Sequence, residues 1–353
     1  MPQLCTVGSL GLALMTRRTA TAAVAVVLVL LVATGAFGVA RWRDAHRSGL
    51  EKAVSLVPDD AQRYSWTDWA GVRRALHVAD REDPSAAQVD ALLSKGFDAD
   101  LTSASAMVTS ADPLQSRLGF SPATAEWELF AQSDSGAVVV VEPASTDGLE
   151  RAWKRAGYTE ADGAWDGTEV TSGLGITPEF SHIAVQDGRV YGSDSAAYLD
   201  EVLGGGFSPS DPVRSVVDAV GDPVSAVVYS GDYACGHLAM SQADDVDQDQ
   251  AAQLIRQAGG VDPMTAFAMG ADAERQVTVA LGFDSHDRAV SNADARAALA
   301  GGAAPGQGGA FTDRFRLGKV EADGEVVTMR LHPVKGAFVL SDLSTGPVLF
   351  ASC

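Results

Sequence analysis

The chain has few cysteines and histidines, the residues that bind zinc and other transition metals. Its 353 residues include three cysteines and six histidines, and no two cysteines are spaced as C-x-x-C. The histidines show no metal-ligand spacing such as H-E-x-x-H. The one asparagine, Asn292, precedes Ala-Asp, so the sequence has no acceptor for N-linked glycosylation. We therefore expect no bound metal and no other cofactor.

Short motifs for nucleophilic catalysis and for phosphate binding are also missing. The sequence contains neither G-x-S-x-G nor S-x-x-K. The glycine-rich segments 204–206 and 301–309 lack the Lys-Ser/Thr pair of a phosphate loop, and we interpret both as linkers. Ser285, His286 and Asp287 are adjacent, which favours the N-cap of a helix over a catalytic triad. We therefore expect a protein that is not an enzyme.

Acidic residues are abundant, because 46 Asp and Glu oppose 26 Lys and Arg, for a formal net charge of −20. Such a surface repels nucleic acid, so we expect no nucleic-acid partner. A catalytic carboxylate pair leaves no short motif, so a hydrolase stays the alternative class. The acidic run 244–249 suggests a calcium loop, but Gln250 and Arg256 stand where such a loop needs Gly and Glu. We interpret this run as the start of a helix.

The longest uncharged stretch runs from Thr19 to Ala40 and is followed by Arg-Trp-Arg. A helix of this length rises about 33 Å, enough to cross a hydrocarbon core of about 30 Å. We predict a single transmembrane helix over 19–40, preceded by a short cytoplasmic segment, 1–18. A cleaved signal peptide that ends before Arg41 is the alternative, and Met15 is a second candidate for the start of the chain.

The orientation of this helix depends on conflicting charges. Arg17 and Arg18 precede it and four basic residues follow within 41–52, so a count of basic residues alone would leave the C-terminal domain in the cytoplasm. Two arginines before a long apolar run are typical of an export signal, however, and large domains are translocated despite nearby charge. We expect a single-pass protein of the cell membrane with its C-terminal domain outside the cytoplasm.

Turn signals and apolar periodicity predict an α+β domain after the membrane helix. We divide it into a juxtamembrane linker, 41–55, a first half, 56–207, and a second half, 208–353. Hairpin turns at Asp187-Gly188 and Asp323-Gly324 lie between alternating strands, and short helical stretches separate them. We expect two mostly antiparallel sheets, each covered by helices on one face.

The second half repeats features of the first half in the same order. The segment that begins at Tyr64 resembles the segment at Tyr229, the valine strand 138–141 resembles 276–283, and the second hairpin resembles the first. Chains rich in alanine, valine and glycine also produce such similarities by chance. An internal duplication is therefore a hypothesis, and it requires the two halves to share one strand connectivity.

Two groups of side chains in the domain are candidates for specific roles. Cys235 and Cys353 form an even pair in a domain expected outside the cytoplasm, so we predict a disulfide between them, with two buried thiols as the alternative. Tyr64 and Trp66 share one face of a predicted strand, and Trp69 follows. These three aromatic residues form either core or an exposed surface that binds a glycan or peptide.

The sequence combines a predicted N-terminal span, Val-Pro-Asp-Asp at 57–60, Tyr-Ser-Trp-Thr-Asp-Trp at 64–69 and a C-terminal cysteine. This layout resembles that of membrane-anchored envelope proteins of unknown function from actinobacteria. The resemblance transfers no catalytic residue. We expect a non-enzymatic binding or scaffolding module of the cell envelope, whose partner is an envelope protein, a glycan or a lipid. An envelope hydrolase with a carboxylate pair and a lipid-carrying domain are the alternatives.

Overall fold

The computed structural model describes residues 47–353. In this part of the chain, strands with alternating polar and apolar residues and strands that are continuously apolar pair into one twelve-stranded antiparallel sheet. The strands are β1 (Arg63–Thr67), β2 (Ala125–Gln132), β3 (Ala137–Pro143), β4 (Thr159–Ala161), β5 (Ala164–Asp166), β6 (His182–Gln186), β7 (Arg189–Ser193), β8 (Ser225–Ser230), β9 (Ala266–Ala271), β10 (Val277–Gly282), β11 (Phe315–Asp323) and β12 (Val326–Pro333). Their order across the sheet is β11-β12-β10-β9-β8-β1-β2-β3-β7-β6-β5-β4. The α+β class is as expected, but the expectation of two sheets is wrong because β1 pairs with β8.

Helices cover both faces of this sheet, whereas the sequence led us to expect helices on one face. They are α1 (Gly49–Ala53), α2 (Trp69–Ala75), α3 (Ala86–Asp98), α4 (Ala111–Pro113), α5 (Leu149–Ala156), α6 (Thr171–Leu174), α7 (Ala196–Gly204), α8 (Asp211–Val220), α9 (Gly231–Tyr233), α10 (Asp245–Gln257), α11 (His286–Ala300) and α12 (Val339–Ser344). Single π-helical turns occupy Leu114–Leu118 and Ala234–Leu238. We call the face that contacts α1, α7 and α8 the back, and the face that contacts α2, α3, α5, α11 and α12 the front.

The valines of β3 show why both faces need a covering layer. Val139 and Val141 belong to the front core, Val138 and Val140 belong to the back core, and all four are fully buried. Successive side chains of a strand point to opposite faces, so a continuous apolar run is stable only between two layers.

Read outward from the central β1–β8 pair, the strands of the two halves follow one order. The first half runs β1-β2-β3-β7-β6 and the second half runs β8-β9-β10-β12-β11, while β5 and β4 extend the first half only. A helix follows each of β1 and β8, and the N-cap residues of these helices are Asp68 and Ser230. If the two N-caps are equivalent positions, then Ser65 and Val227, each three residues earlier, are equivalent as well. These two residues are also register partners, so an approximate two-fold axis relates β1 to β8 at this point.

The first predicted turn is confirmed. Asp187 and Gly188 join β6 to β7 with φ angles of 50° and 76°, as the two left-handed residues of a type I′ turn require. The second hairpin is also present, but its turn residues are Gly324 and Glu325, one position later than predicted, because Asp323 is still paired with Val326. The sequence similarity between Tyr64 and Tyr229 is out of register, however, because Tyr64 lies in the back core and Tyr229 in the front core.

The predicted membrane helix, 19–40, and the segment before it lie outside the described residues. Within residues 47–353, no helix combines the length and the apolar character needed to cross a membrane. The described end of the predicted linker, 41–55, forms α1, which begins with a capping box between Ser48 and Glu51. Leu50 and Ala53 are buried in the back core, so this end of the segment is part of the folded domain.

Candidate functional site

A cleft of about 590 Å³ opens on the front of the sheet, at its centre. Strands β1, β2 and β8 form the floor with Arg63, Ser65, Phe130, Val227 and Tyr229. The walls are formed by Ser103, Ala104, Ser105, Ala106, Thr109, Thr177, Glu179, Tyr233, His237, Leu238, Gln242, Ser344 and Thr345. Residues from both halves of the domain therefore surround the cleft, and most of its polar groups are hydroxyls.

Backbone pairing fixes the floor of the cleft. Ser65 lies between Phe130 of β2 and Val227 of β8, and Arg63 is the register partner of Tyr229. Because side chains alternate along β1, these residues face the front while Tyr64 faces the back core. The floor lies on the approximate two-fold axis, but the side chains on its two sides differ.

Arg63 places a positive charge at the floor. Its guanidinium lies 4.9 Å from the ring centroid of Phe130, a distance typical of a cation–π contact. The Nε atom of Arg63 is buried and has no hydrogen-bond partner among the described residues. Buried N–H groups are rarely left without a partner, so this donor is a feature that a ligand could satisfy.

Four aromatic rings in successive contact extend from the core to the wall of the cleft. The ring of Tyr229 stacks on that of Phe267 at 6.1 Å and contacts that of Tyr233 at 5.5 Å, and Tyr233 stacks on His237 at 4.1 Å. The hydroxyl of Tyr229 donates a hydrogen bond of 2.6 Å to the carbonyl of Ser344. Burial raises the pKa of this hydroxyl well above its usual value, so Tyr229 is a neutral, fixed surface.

Two buried carboxyl groups hold the walls of the cleft from behind. Glu128 accepts hydrogen bonds from the backbone N–H of Ala106, at 2.8 Å, and from the indole N–H of Trp69, at 3.2 Å. Asp100 accepts hydrogen bonds from the backbone N–H groups of Leu340 and Ser341, at 2.7 and 3.0 Å, near the start of α12. Burial raises the pKa of Glu128 to about 7 and that of Asp100 to about 6.

Glu128 is expected to make the folded state less stable as the pH rises. A glutamate in the unfolded chain ionises near pH ~4.3, whereas Glu128 in the folded chain keeps its proton up to a pH of about 7. Between these values the folded state binds more protons, so the free energy of unfolding falls with increasing pH. Glu128→Gln lacks this contribution. The difference in unfolding free energy, wild type minus variant, should fall by roughly 2–3 kcal/mol between pH ~5 and ~8.

Urea unfolding at several pH values measures this difference, and the subtraction removes the contribution of Asp100, which both proteins share. The absolute stability of Glu128→Gln is not the test, because the amide N–H₂ group cannot accept the hydrogen bond that one carboxylate oxygen accepts. A difference that stays constant from pH ~5 to ~8 would show that Glu128 ionises normally in the folded protein.

Few acidic or imidazole side chains line the cleft. Within the described chain, Glu179 is the one carboxylate of the lining and His237 is the one imidazole. Nδ1 of His237 lies 3.2 Å from the carbonyl oxygen of Tyr233, so this nitrogen is the protonated donor. The lining therefore provides one carboxylate where the hydrolase hypothesis needs a pair.

The predicted aromatic binding surface is not exposed. Tyr64, Trp66 and Trp69 retain 0, 3 and 0% of their accessible surface. Trp66 lies in the back core and donates its indole N–H to the carbonyl of Pro223, at 3.0 Å, whereas Trp69 lies in the front core. Helices cover both faces of β1, so these residues form core, and the interpretation as a surface is wrong.

The predicted cysteine pair lies at disulfide distance. The Cα atoms of Cys235 and Cys353 are 5.7 Å apart, within the range that a disulfide requires. Cys235 belongs to the π-helical turn Ala234–Leu238, which also carries His237 of the cleft wall. A disulfide between them would join the C-terminus to a wall of the cleft.

Two motifs considered at the sequence level form helix caps, as predicted. The carboxylate of Asp244 accepts a hydrogen bond of 2.9 Å from the backbone N–H of Asp247 at the start of α10. The hydroxyl of Ser285 accepts one from the N–H of Arg288 at the start of α11. No group of three or more His, Cys, Asp or Glu side chains placed to hold a metal ion occurs within residues 47–353.

The floor residues of the cleft were missed by sequence analysis, although β1 contains a signal for them. Its sequence, Arg-Tyr-Ser-Trp-Thr, alternates polar and aromatic residues. The prediction placed a binding surface at the aromatic positions, but the polar positions, Arg63 and Ser65, face the cleft. No local signal points to Tyr229, which reads as one more residue of an apolar strand.

Comparison with known proteins gives no family for this chain. No protein family and no curated protein matches the sequence. A solved structure, crystal form III of TP0453, aligns over 82% of this chain and 96% of its own, with 8% sequence identity and a TM-score of 0.35. A likeness at this level carries no argument about fold or function.

Proposed function

We propose that this chain is a non-enzymatic binding module of a cell envelope, held to the membrane by residues 19–40 with its folded domain outside the cytoplasm. The observation that carries the proposal is the cleft of about 590 Å³ at the junction of the two halves. Small-molecule sites have volumes of roughly 300–1,000 Å³ and combine apolar or aromatic walls with a few fixed polar groups. The cleft has this size, its floor carries aromatic and apolar side chains, and its walls are rich in hydroxyl groups.

The proposed location rests on the sequence. The uncharged stretch from Thr19 to Ala40, with Arg17 and Arg18 before it, has the length and charge pattern of a signal anchor. The disulfide distance between Cys235 and Cys353 suits an oxidising compartment. The layout that resembles actinobacterial envelope proteins leads us to propose the same setting for this chain.

We further propose that the two halves of the domain are related by duplication. The shared strand order, read outward from β1 and β8, supports this, as does the coincidence of Ser65 and Val227 as both corresponding residues and register partners. A binding site on the axis between two related halves can be lined differently on each side. The cleft would then be a product of their divergence.

The binding function can be tested with a neutral fluorescent probe, N-phenylnaphthylamine, and a variant that fills the cleft. Thr109 is exposed and lines the wall, so Thr109→Trp should fill part of the cleft without disturbing the core. We expect wild type to bind one probe molecule per chain, and Thr109→Trp to bind it at least tenfold more weakly. Fluorescence titration measures both.

Ser291→Trp is the matched control, because Ser291 is exposed on α11 and does not line the cleft. This variant should bind the probe as wild type does. Absence of saturable binding to wild type, or equal loss of affinity in the two variants, would contradict a binding role for the cleft.

A further inference from the structure

Arg63 lacks the carboxylate partner that two other buried or half-buried arginines have. Arg73 forms an ion pair with Asp80, and Arg189 forms one with Glu142. The guanidinium of Arg63 forms no ion pair within residues 47–353, although the chain has a net charge of −20. Partial burial without a carboxylate partner leaves its charge available to an anion in the cleft.

The residues next to Arg63 indicate which chemical group of the ligand lies beside that anion. Arg63 and Tyr229 are register partners on adjacent strands, so their side chains lie side by side on the floor. The ring of Tyr229 is fixed by its hydrogen bond to Ser344 and by its contact with Tyr233. Tyr229 keeps 5% of its surface exposed and lines the cleft together with the half-buried Tyr233, so a ligand group attached directly to the anion meets aromatic surface supplied mainly by Tyr233.

We propose that the cleft binds a monoanion that carries a flat apolar ring next to its charged group. The anion pairs with Arg63, where it can also accept the unpartnered Nε–H, and the ring lies against Tyr229 and Tyr233. This inference rests on the proposed binding function and adds the chemical class of the ligand. The hydroxyls of Ser65 and Thr177 provide further donors in the same cleft.

The test compares two probes that differ in charge and have nearly the same shape, naphthoate and naphthamide. We expect wild type to bind naphthoate at least tenfold more tightly than naphthamide at neutral pH, measured by isothermal titration calorimetry. In Arg63→Met this preference should disappear, because naphthoate binds more weakly while the affinity for naphthamide changes less than threefold. Arg63→Lys should keep part of the preference, since it retains the charge without the planar guanidinium.

Two other variants separate the charge from the surface. Tyr233→Leu should weaken both probes by a similar factor, because it removes the aromatic surface and leaves Arg63. Glu179→Gln should bind naphthoate more tightly than wild type does, since it removes a like charge from the lining of the cleft. Raising the salt concentration from about 50 to 500 mM should weaken naphthoate binding to wild type and leave naphthamide binding unchanged.

The failure of this inference can be told apart from the failure of the proposed function. If N-phenylnaphthylamine binds in the cleft but wild type does not prefer naphthoate to naphthamide, the cleft binds ligands and the assignment of an anion to Arg63 is wrong. Equal weakening of both probes by Arg63→Met would likewise overturn the assignment, because it would mark Arg63 as a structural residue. The salt titration tests the assignment on wild type even if Arg63→Met does not fold.

Discussion

Replacing Arg296 with alanine is expected to lower the free energy of unfolding by about 4 kcal/mol. The side chain is completely buried, and its Nη atoms donate to the carbonyls of Phe350 and Asp262, both at 2.6 Å, and of Ser352, at 3.0 Å. Its Nε donates to the side-chain oxygen of Asn292, at 3.1 Å. Truncation leaves several buried carbonyls without a donor, and each costs about 1–3 kcal/mol.

The control for this prediction lies on the same helix. Arg288 forms an ion pair of 3.1 Å with Asp284, and both side chains are about half exposed, at 48 and 55%. Solvent screens such pairs, so Arg288→Ala should cost less than about 1 kcal/mol. Urea unfolding of both variants measures the contrast. If Arg296→Ala lies within about 1 kcal/mol of wild type, Arg296 does not anchor the C-terminal segment.

Replacing Cys235 and Cys353 together with serine is expected to cost about 4–5 kcal/mol in a protein purified under oxidising conditions. The two residues are 118 positions apart, and their bond would restrict a long loop of the unfolded chain. Unfolding of the wild type in the presence of a reductant should show a similar loss. The double variant should show no further loss on reduction.

If wild type and the double serine variant unfold at the same urea concentration under oxidising conditions, the cysteines are free thiols. Counting free thiols in denaturant, with and without prior reduction, decides the point directly.

The parts of the fold that the sequence predicted well are those that short segments encode. The turn at Asp187-Gly188 needs two residues that tolerate positive φ, and the sequence supplies them between alternating strands. The helix caps at Asp244 and Ser285 depend on a side chain that reaches a backbone N–H three residues later. Such contacts leave a pattern within a few residues, so a single sequence is enough to find them.

Long-range pairing left no comparable pattern. β1 and β8 are separated by more than half of the described chain, and nothing in the sequence of either strand specifies the other as its partner. The expectation of two sheets failed for this reason. Arg296 shows the same limit at a single position, since an arginine in the middle of an Ala-rich helix is typical of an exposed residue, yet it is fully buried.

The cleft is assembled by long-range pairing, which the sequence does not reveal. Arg63 and Tyr229 become neighbours only when β1 and β8 pair, and the walls at Ser105 and Ser344 come from segments far apart in the chain. Sequence analysis therefore identified the cysteine pair near the cleft and the aromatic residues behind its floor, but it could not assemble the site.

The central position of the β1–β8 pair has a consequence for biosynthesis. A nascent chain that has emerged as far as β7 already contains β1, β2 and β3, but the second edge of β1 has no partner until β8 is made. Its unpaired backbone N–H and C=O groups form an open template for any extended strand nearby. Chains interrupted between residues 194 and 224 would expose this edge permanently, and two such fragments could dimerise through it in place of β8.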